Sequence, residues 1–133
     1  MHSFSQCPGR WAILKLAPDA AVPGWALAAG GFVTISRTPT ELSIICPAAA
    51  VPGEVEATRD WALLQLHGPF PFSDVGVLVS LAAPLAAAGI PIMAVSTYDT
   101  DYLLVREAAV RAAREALVRA GHRDVTPESD GHP

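Results

Sequence analysis

Between Val95 and Tyr102 the chain reads Ser96-Thr97-Tyr98-Asp99-Thr100-Asp101. Hydroxyls that both donate and accept hydrogen bonds stand here beside carboxylates that only accept. Such a cluster can hold an ammonium group, because charge-assisted hydrogen bonds to carboxylates are short and strong. The flanking apolar runs, Ile92–Val95 and Tyr102–Val105, read as two strands, which makes the polar residues the tip of a β-hairpin. Asp and Thr also stabilise turns by bonding their own backbone. For this stretch by itself, a turn and nothing more is the simpler reading.

A free amino acid also needs donors for its carboxylate. The sequence places a candidate at Asp74, Val75 and Gly76. Ser73 or Asp74 can cap a helix running to about Ala88, with Gly89 as its stop and Pro84 as a kink. Val75, Leu78, Ala82, Leu85 and Ala86 fall on one face of it. The first backbone N–H groups of a helix have no partner within it and carry the positive end of its dipole. Gly76 would let a ligand approach that backbone closely. The carboxylate of Asp74 opposes this role unless it points away or caps the helix. Gly76 could equally serve only to ease packing.

Catalytic chemistry finds less support. His67, before Gly68-Pro69, is the only histidine away from a chain end and reads as a surface residue at a strand end; His2, His122 and His132 read as peripheral. There is no nucleophile elbow, no phosphate-cradling glycine loop and no His-x-x-x-His pair. Cys7 and Cys46 have neither metal-ligand nor disulfide-framework spacing, and Cys46 reads as a small core residue. Asp99 and Asp101 share one side of an extended strand, but a hairpin tip rarely desolvates an acid pair. The expectation is a non-enzymatic protein without cofactor or metal.

The elements that must position the hairpin come in two cycles. In the first, Trp11–Leu16 is a strand, Asp19–Ala28 has room for a short helical turn or two, and Phe32–Ser36 and Glu41–Cys46 form a hairpin around Pro39. Pro47–Thr58 reads as a loop. In the second, Trp61-Ala62-Leu63-Leu64-Gln65-Leu66 repeats the pattern Trp11-Ala12-Ile13-Leu14-Lys15-Leu16 at a distance of 50 residues. His67–Phe72 is a loop, then come the helix described above, strands at about Pro91–Ser96 and Asp101–Val105, and a helix over Glu107–Ala120 stopped by Gly121. That last helix carries Val110, Ala113, Leu117 and Ala120 as an apolar stripe and Glu107/Arg111 and Glu115/Arg119 at i,i+4. Aligned at an offset of 60, Ser36 falls on Ser96, Thr40 on Thr100 and Glu41 on Asp101. Two β-α-β-β cycles predict an α+β protein of tandem ferredoxin-like βαββαβ subdomains with antiparallel sheets. The expected bounds are 11–60, with reduced helices, and 61–125; residues 1–10 and 126–133 read as flexible termini. Trp11 and Trp61 hold equivalent positions and suit packing, while Trp25 suits an interface or a pocket mouth.

Composition narrows the class. The chain has 133 residues, 51% of them hydrophobic and 17% charged, against typical values of about 45–50% and about 25%. Apolar surface left over after filling a core favours a homodimer. A net charge of −4, with no basic stripe except one interleaved with Glu in the last helix, argues against nucleic acid. Met1–Arg10 does not read as a signal peptide, and residues 75–90 are too interrupted to span a membrane. Cytoplasm is the expected compartment.

One family resemblance draws these features together. Trp61-x-x-Leu64-x-Leu66, Gly68-Pro69, Gly76-Val77-Leu78, Pro84-Leu85-x-x-x-Gly89-Ile90 and Ser96-Thr97-Tyr98-x-Thr100-Asp101-Tyr102-Leu103-Leu104-Val105 resemble the ACT domain. Over residues 11–121 the chain is similar to small tandem ACT proteins, akin to aspartate kinase regulatory regions and cytosolic arginine sensors. The resemblance implies regulation by amino-acid binding at a pairing interface. It also implies that Thr97, Tyr98, Asp101 and Gly76 line the ligand pocket. The first hairpin departs from the pattern, with Arg37-Thr38-Pro39-Thr40-Glu41.

Overall fold

The computed structural model describes residues 1–71 and 73–127. Along the chain they form β1 (Ser3–Leu16), α1 (Gly24–Ala28), β2 (Thr34–Arg37), β3 (Leu42–Pro47), β4 (Thr58–Leu66), α2 (Val77–Ala87), β5 (Met93–Ser96), β6 (Asp101–Arg106), α3 (Val110–Arg119) and β7 (Arg123–Asp124). Single 3-10 turns occur at Ala48–Ala50 and Glu107–Ala109. The chain divides into a smaller unit, Gly9–Trp61, and a larger one made of Met1–Pro8 with the chain from Ala62 onward. Both divisions fall inside long strands, so β1 and β4 each contribute a segment to each unit.

In the larger unit the strands lie in the order β7-β1-β4-β6-β5. Period-2 alternation turns Phe4, Ala62, Leu64, Leu66, Leu103 and Val105 into one core, where they meet Leu81 and Leu85 of α2 and Ala113, Ala116 and Leu117 of α3. With the first segment of β1 counted as its last strand, this is the ferredoxin-like arrangement, α+β with both helices on one sheet face. The smaller unit has the order β2-β3-β1-β4. Its core joins Ala12, Leu14, Leu42, Ile44 and Cys46 to Ala26 of α1 and to Val51. The antiparallel registers pair Leu14 and Ile35 with Ile44. Its second helix is reduced to the turn at Ala48–Ala50, and the loop beyond is held by Arg59, which donates to the carbonyls of Val51, Pro52 and Val55.

The structure corrects several sequence expectations. Residues 3–10, expected to be loose, are strand, and Phe4 is fully buried. Their polar composition hid this, because the segment becomes a strand only through distant partners: His67 N–H donates to Ser3 and Val125 N–H to Phe4. Helix α2 starts at Val77, with Gly76 in the left-handed conformation as its N-cap and no side-chain cap. Val75 therefore lies outside the helix and is 91% exposed, and the buried face is formed by Leu81 and Leu85. Trp25, expected near an interface or pocket mouth, packs against the smaller core. Trp11 is buried, and its indole N–H donates to the Phe32 carbonyl at 3.0 Å. The expected flexible stretch 126–133 lies outside the described residues beyond Pro127.

Both helix stops use glycine as expected. Gly89 and Gly121 have φ of +75° and +102°. Ile90 N–H reaches Leu85 O and His122 N–H reaches Leu117 O, the long bond of a Schellman motif in each case. His122, expected to be peripheral, is buried. Pro84 has no N–H to offer Ser80 O four residues earlier, and His122 Nε2 takes that place at 2.8 Å. His122 Nδ1 accepts from His2 N–H at 3.1 Å, so the hydrogen-bond pattern assigns the ring proton to Nε2.

Candidate functional site

The second hairpin is set by its register. β5 and β6 pair Met93 with Leu104, Ala94 with Leu103, Val95 with Tyr102 and Ser96 with Asp101. Ala94 and Ser96 therefore share the helix-facing side of the sheet with Leu103 and Asp101. Across the loop, Thr97 N–H donates to Thr100 O at 2.8 Å and the Thr97 hydroxyl does so at 3.1 Å. Thr100, buried, donates its hydroxyl to Leu66 O at 2.9 Å. The tip is also tied to the 67–71 loop, since Phe70 N–H donates to Asp99 O at 2.9 Å. Gly68 permits that closure: a Cβ there would lie 2.9 Å from Asp99 O.

These contacts shape a niche of about 240 Å³ lined by Phe70, Pro71, Asp74, Val77, Ser96, Thr97, Tyr98, Asp99, Thr100 and Asp101. Asp74, Ser96, Thr97, Tyr98 and Asp101, chosen from the sequence, thus come together on one cavity. Val75 and Gly76 do not line it. Val77, the first residue of α2, takes the expected place of Val75, because the helix begins later than its apparent cap suggested. Ser96 donates its hydroxyl to Asp101 Oδ1 at 2.5 Å, which orients the carboxylate. The side chain of Tyr98 is exposed. Sequence reasoning missed Phe70 and Pro71 as walls; the run Gly68-Pro69-Phe70-Pro71 signalled a loop but not the one that closes on the hairpin.

The niche brings the carboxylates of Asp74 and Asp101 and the hydroxyls of Ser96 and Thr97 close to the start of α2. Asp74 does not cap the helix, so its charge stays among the acceptors of the niche. A second cavity of about 320 Å³ abuts it, lined by Pro69, Phe70, Pro71, Tyr98 and Asp99. A larger open groove of about 640 Å³ follows α3, lined by Val110, Arg111, Arg114, Glu115, Val118, Arg119 and Asp124. Its central groups are already engaged with each other: Arg114 Nε lies 2.7 Å from Asp124 Oδ2. The hairpin niche is therefore the candidate site, despite its smaller volume.

Elsewhere the polar groups serve the fold. The Ser5 hydroxyl lies 2.8 Å from His67 Nε2. Burial pushes the thiols of Cys7 and Cys46 above their usual range, away from the reactive thiolate. Tyr102 is likewise pushed up, by burial first and then by Cys7 and Asp99. In the first hairpin, Arg37 stands where Thr97 stands in the second. Its guanidinium donates to Pro18 O and Ala20 O, so its charge is used to hold a loop. Among the described residues, no helix is long and apolar enough to cross a membrane.

Residues 56–119 match the ACT domain, and residues 9–54 match a separate model of an N-terminal domain. With the ferredoxin-like topology of the larger unit, this identifies residues 56–119 as a domain of the ACT family. A protein from Agobacterium tumefaciens of known crystal structure is 36% identical, with a TM-score of 0.89, and the alignment covers 99% of this chain and 98% of that one. The Thermus thermophilus aspartate kinase regulatory subunit is similar in fold, with a TM-score of 0.59 at 19% identity over 85% of this chain and 93% of that one. The human cytosolic arginine sensor for mTORC1 subunit 1 is 35% identical over 60 residues, 44% of this chain and 18% of the sensor. The chain thus matches less than a fifth of that relative's length. Its fold is one shared with aspartate kinase regulatory subunits.

Proposed function

We propose that this chain is a non-enzymatic tandem ACT protein of the cytoplasm that binds an amino acid or a closely related zwitterion in the hairpin niche. One observation carries the reading. Asp74 and the residues 96–101, distant in sequence, converge on a single cavity at the start of α2. In this reading Asp101, with the hydroxyls of Thr97 and Tyr98, receives the ammonium group, and Asp74 adds a second acceptor at the start of α2. The smaller unit is a reduced ACT subdomain whose hairpin departs from that of the second, with Arg37 committed to the loop at Pro18–Ala20. A ligand of about ten heavy atoms at moderate efficiency gives roughly −4 to −8 kcal/mol, hence about millimolar to micromolar affinity. That range suits sensing a metabolite pool.

The test is a thermal-shift screen of the purified chain against the proteinogenic amino acids. At least one should raise the unfolding midpoint, and Asp101→Ala should abolish that rise while the protein stays folded. A flat response to all of them would sink the proposal.

A second reading, self-association, is favoured by α2. From Val77 to Ala87 every residue but Ser80 is apolar, and the Ser80 hydroxyl is spent on Val77 O at 2.6 Å. Val79 is 65% exposed, and Ala83, Ala86 and Ala87 are exposed beside it. A second copy laid on this face would bury it. In that case sedimentation should report a concentration-dependent dimer that Val79→Glu converts to monomer.

A further inference from the structure

The niche and its neighbouring cavity share Phe70, Pro71, Tyr98 and Asp99 as common walls. The two differ in chemistry. The niche carries the hydroxyls of Ser96, Thr97 and Thr100 and the carboxylates of Asp74 and Asp101. The neighbour keeps the shared walls and adds Pro69, so its lining is two prolines, a phenylalanine, a tyrosine and one aspartate. We infer that the neighbouring cavity receives the side chain of the bound amino acid and selects an apolar one, branched or aromatic. This rests on the amino-acid reading above and names the ligand class within it.

The walls decide the preference. Pro69 and Pro71 have no backbone N–H, and the Phe70 N–H is spent on Asp99 O, so none of these three wall residues offers a main-chain donor to a side chain. Asp99 is exposed, and an exposed carboxylate attracts a cation weakly through solvent screening. A basic side chain would exchange its hydration for apolar walls and that one screened charge. An apolar side chain gains in proportion to the area it removes from water. The His2 ring meets the Phe70 ring edge-on with centroids 5.3 Å apart.

Calorimetric titration of the full chain with alanine, leucine, phenylalanine, lysine and arginine tests this. Leucine or phenylalanine should bind roughly ten- to a hundredfold more tightly than alanine, the gain expected for burying a large apolar side chain. Phe70→Ala should collapse the ratio towards one, and Tyr98→Ala, at an exposed position outside the core, should lower it without risk to folding. Tighter binding of lysine or arginine than of leucine and phenylalanine would overturn the inference and leave the amino-acid site standing. Absence of binding by every amino acid would instead overturn the site itself.

Discussion

Asp124 accepts from Arg114 Nε at 2.7 Å, from the Thr126 hydroxyl at 2.5 Å and from Thr126 N–H at 3.0 Å. Arg114 also donates to Gln6, whose own N–H donates to the Thr126 hydroxyl. Burial alone would raise the Asp124 pKa, but the hydrogen bonds from Arg114 and Thr126 outweigh it and hold the carboxyl below its ordinary value of 3.8. A carboxylate depressed on folding stabilises the native state fully above its ordinary value. That contribution drains away as the pH falls from there through the lower folded value. Asp124→Asn should therefore lower the urea midpoint at about pH 7 and narrow the gap between the midpoints at about pH 7 and about pH 3. A wild-type gap that survives the substitution would assign the acid sensitivity to other groups. None of this network was legible in the sequence, where Arg114, Asp124 and Gln6 are too far apart for any local pattern to join them.

Helix α2 contains a proline that the sequence exposes at once and whose consequence it hides. Pro84 leaves Ser80 O without its helical donor, and His122 supplies one from the end of α3. A buried carbonyl deprived of a partner costs about 1–3 kcal/mol. His122→Ala should destabilise by about that amount, with the lost packing adding to it. In a Pro84→Ala background the new N–H can return to Ser80 O, so the same His122 substitution should cost less. Equal losses in the two backgrounds, measured by denaturant unfolding, would mean that the ring acts only by filling space. The hairpin lies at the opposite extreme of legibility: its strands and polar tip follow from alternation and turn chemistry alone. Its closure onto the 67–71 loop does not, because that bond joins Phe70 to Asp99 across an intervening helix and strand.

The larger unit has its own core, and that core includes Phe4 from the chain's first strand. The N-terminal segment is thus a structural strand for elements that begin more than fifty residues later. Phe4→Ala should cost about 3–5 kcal/mol, as for a large aromatic removed from a close-packed interior. Deleting residues 1–8 should unfold the larger unit outright. Unchanged thermal unfolding of either variant would show that Phe4 contributes nothing to that core. The ligand-induced thermal shift should disappear together with the fold in the deletion, because β4 and the hairpin niche rest on the same unit.

What the sequence determined by itself is what a few neighbouring residues can encode. Alternating apolar positions define the strands, 3.6-residue spacing defines α3, and Gly89 and Gly121 end their helices because the left-handed conformation costs glycine least. Those signals suffice for the ferredoxin-like class and for most of the hairpin side of the site. Tertiary structure alone decided the rest: the enlistment of residues 3–8, the start of α2 at Val77 rather than at Ser73 or Asp74, the walls Phe70 and Pro71, and the burial of His122. Each of these depends on a group satisfying a partner remote in the chain, and a donor or an apolar surface does not specify in sequence which partner it will meet.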